Sequence, residues 1–96
     1  METIAEPELI NNLKAKAVSK IRLVQRDDKR YEVFITVSWK GGESLLITQR
    51  KRARIWVSLD RFVKHATDKY YNIPLIEIDL RSIYERNNEQ QVQQEE

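Results

Sequence analysis

Apolar and polar side chains alternate most regularly in the stretch YEVFITVSWKGG, residues 31–42. A period of two predicts a β-strand with one buried face. The residues that we assign to the core face are Tyr31, Val33, Ile35, Val37 and Trp39. Gly41 and Gly42 then predict a two-residue hairpin turn, because both central positions of such a turn need positive φ. A return strand over residues 43–49 is expected to run antiparallel to the first.

The segments on either side of this hairpin predict an α+β domain. Apolar spacing and turn residues give a helix over 7–18, a strand over 21–26, a short strand over 53–57, a helix over 59–70 and a last strand over 75–80. Ser58 is a suitable N-cap for the second helix. The predicted order is α-β-β-β-β-α-β, with a mostly antiparallel sheet of about five strands and two helices packed on one face.

Length and composition exclude several classes of protein. The chain has 96 residues, no Cys and one His, so a disulfide framework, a thiolate metal site and a multidomain enzyme are all excluded. We expect one domain over residues 1–84 and a disordered Gln- and Glu-rich tail over 85–96. The beginning of the chain lacks a basic leader, and no apolar run is long enough to cross a bilayer. We therefore expect a cytoplasmic protein with no membrane partner.

Charge is distributed unevenly along the chain. Residues 1–10 carry a net charge of −3 and residues 85–96 also carry −3, whereas residues 11–84 hold 16 basic against 8 acidic side chains, a net of +8. These three values sum to the overall +2. A basic domain attracts polyanionic partners such as DNA or RNA, although basic surfaces also serve solubility alone.

Residues with catalytic potential are few. The single His65 is predicted on the second helix, away from the apolar stripe, and therefore in solvent. Glu77 and Asp79 share one face of the last strand. Alternating acids of this kind are more typical of the solvent-exposed face of an edge strand than of a pair of carboxylates that binds a cation or acts in catalysis. Neither glycine belongs to a phosphate-binding loop. We therefore expect no enzyme, no cofactor, no metal site and no small-molecule substrate.

Four basic residues concentrate at one predicted turn. Arg50, Lys51, Arg52 and Arg54 occupy four of five consecutive positions. Long cationic side chains at a turn can reach the phosphates of a nucleic acid. The alternative is a solvated run of charge with no ligand.

The predicted second face of the sheet combines aromatic, apolar and basic groups. Alternation places Phe34, Leu46 and Trp56 there together with Arg54. This mixture suits a homodimer interface, burial in the core, or stacking on single-stranded bases. The aromatic spacing differs from that of the RNA-binding strand motifs, which favours a dimer interface or core burial.

Several segments together resemble the small ParC-type partition-associated proteins of bacterial plasmids and integrative conjugative elements. They are residues 45–50 (LLITQR), 54–56 (RIW), 58–60 (SLD), 20–23 (KIRL) and the hairpin 39–43 (WKGGE). The resemblance covers about residues 9–80. It implies an accessory protein of a mobile element that is linked to DNA maintenance, and it assigns no functional residue.

Two functions are therefore expected. The first is a non-enzymatic accessory protein that contacts nucleic acid through the basic turn. The alternative is a protein-interaction module, either a homodimer or an adaptor for a partition or conjugation protein, that binds no nucleic acid.

Overall fold

The computed structural model describes residues 2–80, which form two helices and one five-stranded mixed sheet. The elements are β1 (Thr3–Ala5), α1 (Glu6–Lys14), β2 (Val18–Gln25), β3 (Tyr31–Val37), β4 (Ser44–Ile47), α2 (Leu59–Lys69) and β5 (Leu75–Asp79). Across the sheet the strands lie in the order β1-β4-β3-β2-β5. This confirms the predicted α+β class with two helices and five strands. The tail predicted over 85–96 lies outside the described residues.

Among the described strands, only the central strand β3 is antiparallel to the rest. It is antiparallel to β2 and to β4, while β1 pairs in parallel with β4 and β5 pairs in parallel with β2. The sheet is therefore mixed, whereas the sequence predicted a mostly antiparallel one. As a consequence, the carboxyl ends of β1, β4, β2 and β5 meet at one end of the sheet, together with the start of β3.

Two strands differ from the prediction. Residues Thr3–Ala5 form an edge strand that was not predicted, because three residues are too few to show a period. The strand predicted over 53–57 is reduced to two isolated bridges, Ile47 with Ala53 and Tyr31 with Trp56. This segment leads from β4 to α2 and passes the end of β4 and then the start of β3, where it pairs with each strand at only one position.

The end of α1 and the turn of the hairpin also differ from the prediction. Helix α1 ends at Lys14, four residues before the predicted end, and Lys16 with φ 57° turns the chain into β2. Residues 38–43 form a loop longer than the predicted two-residue turn. Within it Gly42 has φ 78°, whereas Gly41 does not have a positive φ. Trp39 lies in this loop and is 65% exposed, so its assignment to the core face is wrong.

Both helices pack on one face of the sheet and form a single hydrophobic cluster with it. Its buried members are Ile4, Leu9, Leu13, Val18, Ile21, Leu23, Tyr31, Val33, Ile35, Val37, Leu46, Trp56, Phe62, Ala66 and Tyr70. The core face predicted for β3 is thus confirmed for the four residues that lie in the strand. No helix within residues 2–80 has the length and apolar character that a membrane crossing requires.

Candidate functional site

The basic residues lie on a tight turn at the end of the sheet where four strands finish. The backbone N–H of Thr48 donates to the carbonyl of Arg52 over 2.7 Å, and the N–H of Lys51 donates to the carbonyl of Thr48 over 2.9 Å. Lys51 adopts φ 63°. Arg54 follows the turn, where its own N–H donates to the carbonyl of Leu46. The backbone therefore fixes the positions from which the four side chains project.

The four basic side chains of this turn are exposed, and within residues 2–80 none of them forms an ion pair with a carboxylate. Many other cations are paired. The basic residues that do face carboxylates are Lys20, Arg22, Arg26, Arg30, Lys40 and Lys64. The turn therefore carries positive charge that carboxylates in this part of the chain do not neutralise.

A groove of about 820 Å³ runs beside the turn. The start of α1 forms one wall, and the end of β4 with the turn forms the other. Its lining residues are Ala5, Glu6, Pro7, Ile10, Asn11, Leu46, Ile47, Thr48, Gln49, Arg50 and Arg54. The volume lies within the range of about 300–1,000 Å³ that is usual for small-ligand sites. Apolar atoms make up the larger part of its surface, and two of the four turn cations border it.

Arg54 rests on a buried aromatic ring. Its guanidinium carbon lies 4.6 Å from the ring centroid of Trp56, a distance typical of a cation–π contact. Trp56 is 7% exposed and packs edge-on against Phe62, with ring centroids 5.5 Å apart. The Trp56 indole N–H is buried and has no hydrogen-bond acceptor among the described residues. The indole therefore acts as a fixed support beneath Arg54.

A hydrogen-bonded network is centred on the carboxylate of Glu6, which also lines the groove. Glu6 accepts a hydrogen bond of 2.8 Å from the Tyr70 hydroxyl, and its two carboxylate oxygens lie 3.0 and 3.1 Å from Nε2 of His65. Burial raises the pKa of the Tyr70 hydroxyl, and the charge of Glu6 raises it further. Tyr70 therefore remains protonated near neutral pH and donates to the carboxylate. The network joins the first turn of α1 to α2.

His65 is half-buried in this network, so the prediction that it lies in solvent is wrong. The buried stripe of α2 is centred on Phe62 and Ala66, and it is turned toward His65 and away from Val63, which is 50% exposed. The spacing of Phe62, His65, Ala66 and Tyr70 was the signal in the sequence that could have revealed this face. The position of Glu6 beside them depends on β1 and could not be read from that spacing.

We expect Tyr70→Phe to lower the free energy of unfolding by about 1.5 kcal/mol, because it removes a hydrogen bond to a charged, partly buried carboxylate. Urea denaturation at neutral pH measures the change. The matched control is Tyr71→Phe, since Tyr71 is 51% exposed and its hydroxyl should contribute little. Equal effects of the two variants would show that the hydroxyl of Tyr70 does not stabilise the fold.

The face of the sheet opposite the helices carries an ion-pair network. Arg22 donates from Nε and Nη2 to the carboxylate of Glu43, both over 2.7 Å, and from Nη1 to Asp79. Its guanidinium carbon also lies 5.1 Å from the ring centroid of Phe34. Lys20 pairs with Glu77 on the same face. Glu77 and Asp79 therefore face cations of the neighbouring strand β2.

The surface predicted from Phe34, Leu46 and Trp56 does not form. Leu45, rather than Leu46, lies opposite Phe34 in the sheet register, so Leu46 points toward the helices and is 1% exposed. Trp56 bridges Tyr31, a core residue, and is buried with it. Of the three residues, only Phe34 lies on the open face, beneath Arg22. The assignment of Leu46 and Trp56 to that face is wrong, and their burial matches the core alternative that the sequence left open.

The described residues contain no group of three or more His, Asp or Glu side chains that could hold a metal ion. Comparison of the chain with protein-family models, with curated proteins and with solved structures finds no match.

Proposed function

We propose that this protein is a non-enzymatic accessory protein that binds nucleic acid, with Arg50, Lys51, Arg52 and Arg54 contacting the phosphate backbone. The observation that carries the proposal is the group of four exposed cations that form no ion pair with a carboxylate within residues 2–80. The resemblance to partition-associated proteins supports a role in the maintenance of a bacterial mobile element.

Free cationic groups favour a phosphate ligand for an energetic reason. A cation that already pairs with a carboxylate must break that contact before it binds a phosphate, whereas an unpaired cation releases only water and counterions. The hydrogen-bonded turn from Thr48 to Arg52 also limits backbone freedom, so less conformational entropy is lost on binding. Both effects act on the same short segment.

The open face of the sheet is a poorer surface for a polyanion. It holds two cations, Lys20 and Arg22, against the carboxylates of Glu32, Glu43, Glu77 and Asp79. A net charge of −2 from this count repels phosphates. These charges therefore favour binding at the end of the sheet over binding across its face.

The proposal predicts that binding weakens with salt and that the basic turn accounts for part of this dependence. Neutralising two phosphate contacts in the double variant Arg50→Gln/Arg52→Gln should reduce the slope of log affinity against log salt by about two units or slightly less. Fluorescence anisotropy with labelled single-stranded and duplex oligonucleotides over a series of salt concentrations measures this slope.

The double variant Lys14→Gln/Lys16→Gln is the matched control, since it removes the same charge. Lys14 ends α1 and Lys16 lies between α1 and β2, near the pairing of Val18 with Val37 at the opposite end of the sheet. The control should leave the slope nearly unchanged. Equal losses in the two variants would mean that only net charge matters, and failure of the unaltered protein to bind any oligonucleotide at low salt would reject the proposal. Sedimentation would then test the alternative function, an interaction module that assembles with concentration.

A further inference from the structure

The groove beside the basic turn combines apolar walls with polar groups at its rim. Pro7, Ile10 and Ile47 supply apolar surface, while Asn11 and Gln49 supply amide groups. A nucleobase presents the same combination, because its faces are apolar and its edge carries hydrogen-bond donors and acceptors. The groove is therefore suited to a flat heterocycle with a polar edge.

Arg54 adds a stacking surface to this groove. It lines the groove and also rests on the ring of Trp56. Guanidinium planes stack on unpaired bases in proteins that bind single strands. Because Trp56 already restricts Arg54, ordering this side chain against a base costs little additional entropy.

We infer that the groove accepts one unpaired base of a single-stranded nucleic acid, stacked against Arg54, while the adjoining phosphates lie on Arg50, Lys51 and Arg52. This inference rests on the proposed function and refines it, because Arg54 would stack on a base in addition to contributing its charge toward the phosphates. Bases within a duplex are paired and stacked on one another, so they cannot enter the groove without being extruded. The preferred ligand is therefore a single strand or a loop.

Glu6 is the one carboxylate that lines the groove, and its surroundings are compatible with this ligand. Its oxygens already face Tyr70 and His65, and Arg50 and Arg54 outnumber it on the groove lining. The charged side chains that line the groove therefore carry a net positive charge, which suits a base with phosphates on either side.

The experiment compares three labelled ligands by fluorescence anisotropy at low salt: a single-stranded oligothymidylate, an abasic strand with the same number of phosphates, and a duplex of equal length. We expect the protein to bind the oligothymidylate about tenfold more tightly than the abasic strand, and more tightly than the duplex. Arg54→Lys keeps the charge but loses the planar group. It should therefore abolish the preference for the oligothymidylate over the abasic strand and leave the salt slope unchanged.

Arg61→Lys is the matched control, because Arg61 is an exposed residue of α2 outside the groove lining; it should retain the preference. Asn11→Trp places an indole at the rim of the groove and should reduce the preference independently. Equal binding of the oligothymidylate and the abasic strand, a preference for the duplex, or a preference that survives Arg54→Lys would each overturn the inference while leaving phosphate binding intact. Absence of binding to all three ligands would instead reject the proposed function and the inference with it.

Discussion

Phe62→Ala is expected to lower the free energy of unfolding by about 4 kcal/mol. Phe62 is fully buried and lies edge-on to both Trp56 and Tyr70, with ring centroids 5.5 and 6.3 Å away. Its removal leaves a cavity at the point where α2 meets the sheet, and it loosens the support of Trp56 beneath Arg54. A small domain has a total stability of about 5–15 kcal/mol, so this one change removes a large part of it.

Thermal and urea denaturation followed by circular dichroism measure the effect. Val63→Ala is the matched control, because Val63 is the next residue of α2 and is 50% exposed; we expect its effect to stay below about 1 kcal/mol. If both variants unfold at the same urea concentration, the packing described for α2 is wrong.

The second large effect is expected at Arg22. Arg22→Met should destabilise the fold by about 2 kcal/mol at neutral pH, because it leaves the carboxylates of Glu43 and Asp79 without their shared cation. The Arg22 side chain is 20% exposed and spans from Asp79 on β5 to Glu43 beside β4. Its loss therefore removes a connection across the open face of the sheet.

The effect of Arg22→Met should depend on pH. The hydrogen bond from Arg22 lowers the pKa of Glu43 below its ordinary value of 4.5. A lowered pKa in the folded state contributes stability above the unfolded pKa, and this contribution is lost as the pH falls through the folded value. The difference between the unaltered protein and the variant should thus be largest near neutral pH and shrink below about pH 4.

Urea denaturation at neutral pH and at about pH 3 measures both values. Arg26→Met is the control, because Arg26 pairs with Asp28 in solvent, with both side chains more than a third exposed. Such exposed pairs contribute little. A difference at Arg22 that persists undiminished in acid would show that packing on Phe34, rather than the ion pairs, stabilises the network.

The sequence of β3 predicted its structure well because local and long-range forces agree there. A long alternating run lies at the centre of the sheet, and its apolar side faces both helices. Strand β1 could not be predicted in this way, because its three residues become a strand only through pairing with β4, about 40 residues further along the chain. Short segments take their conformation from partners that sequence patterns do not reveal.

The candidate site was predicted only where it is local in sequence. The cluster of basic residues at 50–54 is visible in the sequence, and the structure places it on an exposed turn. The groove could not be predicted, because it depends on α1 lying beside the end of β4. Trp56 was assigned to the wrong face because strand alternation was extended through residues 53–57, where the chain makes only isolated bridges.

The positions of the paired strands along the chain also determine when each pair can form during translation. β2 and β3 are joined by a short turn and can pair as soon as both have been synthesised. Each outer pair of strands needs a segment that is synthesised later. β1 has no strand to pair with until β4 has been made, and the outer edge of β2 stays unpaired until β5 has been made. During translation the central hairpin is therefore assembled early, and the sheet is completed only after residue 79 has left the exit tunnel.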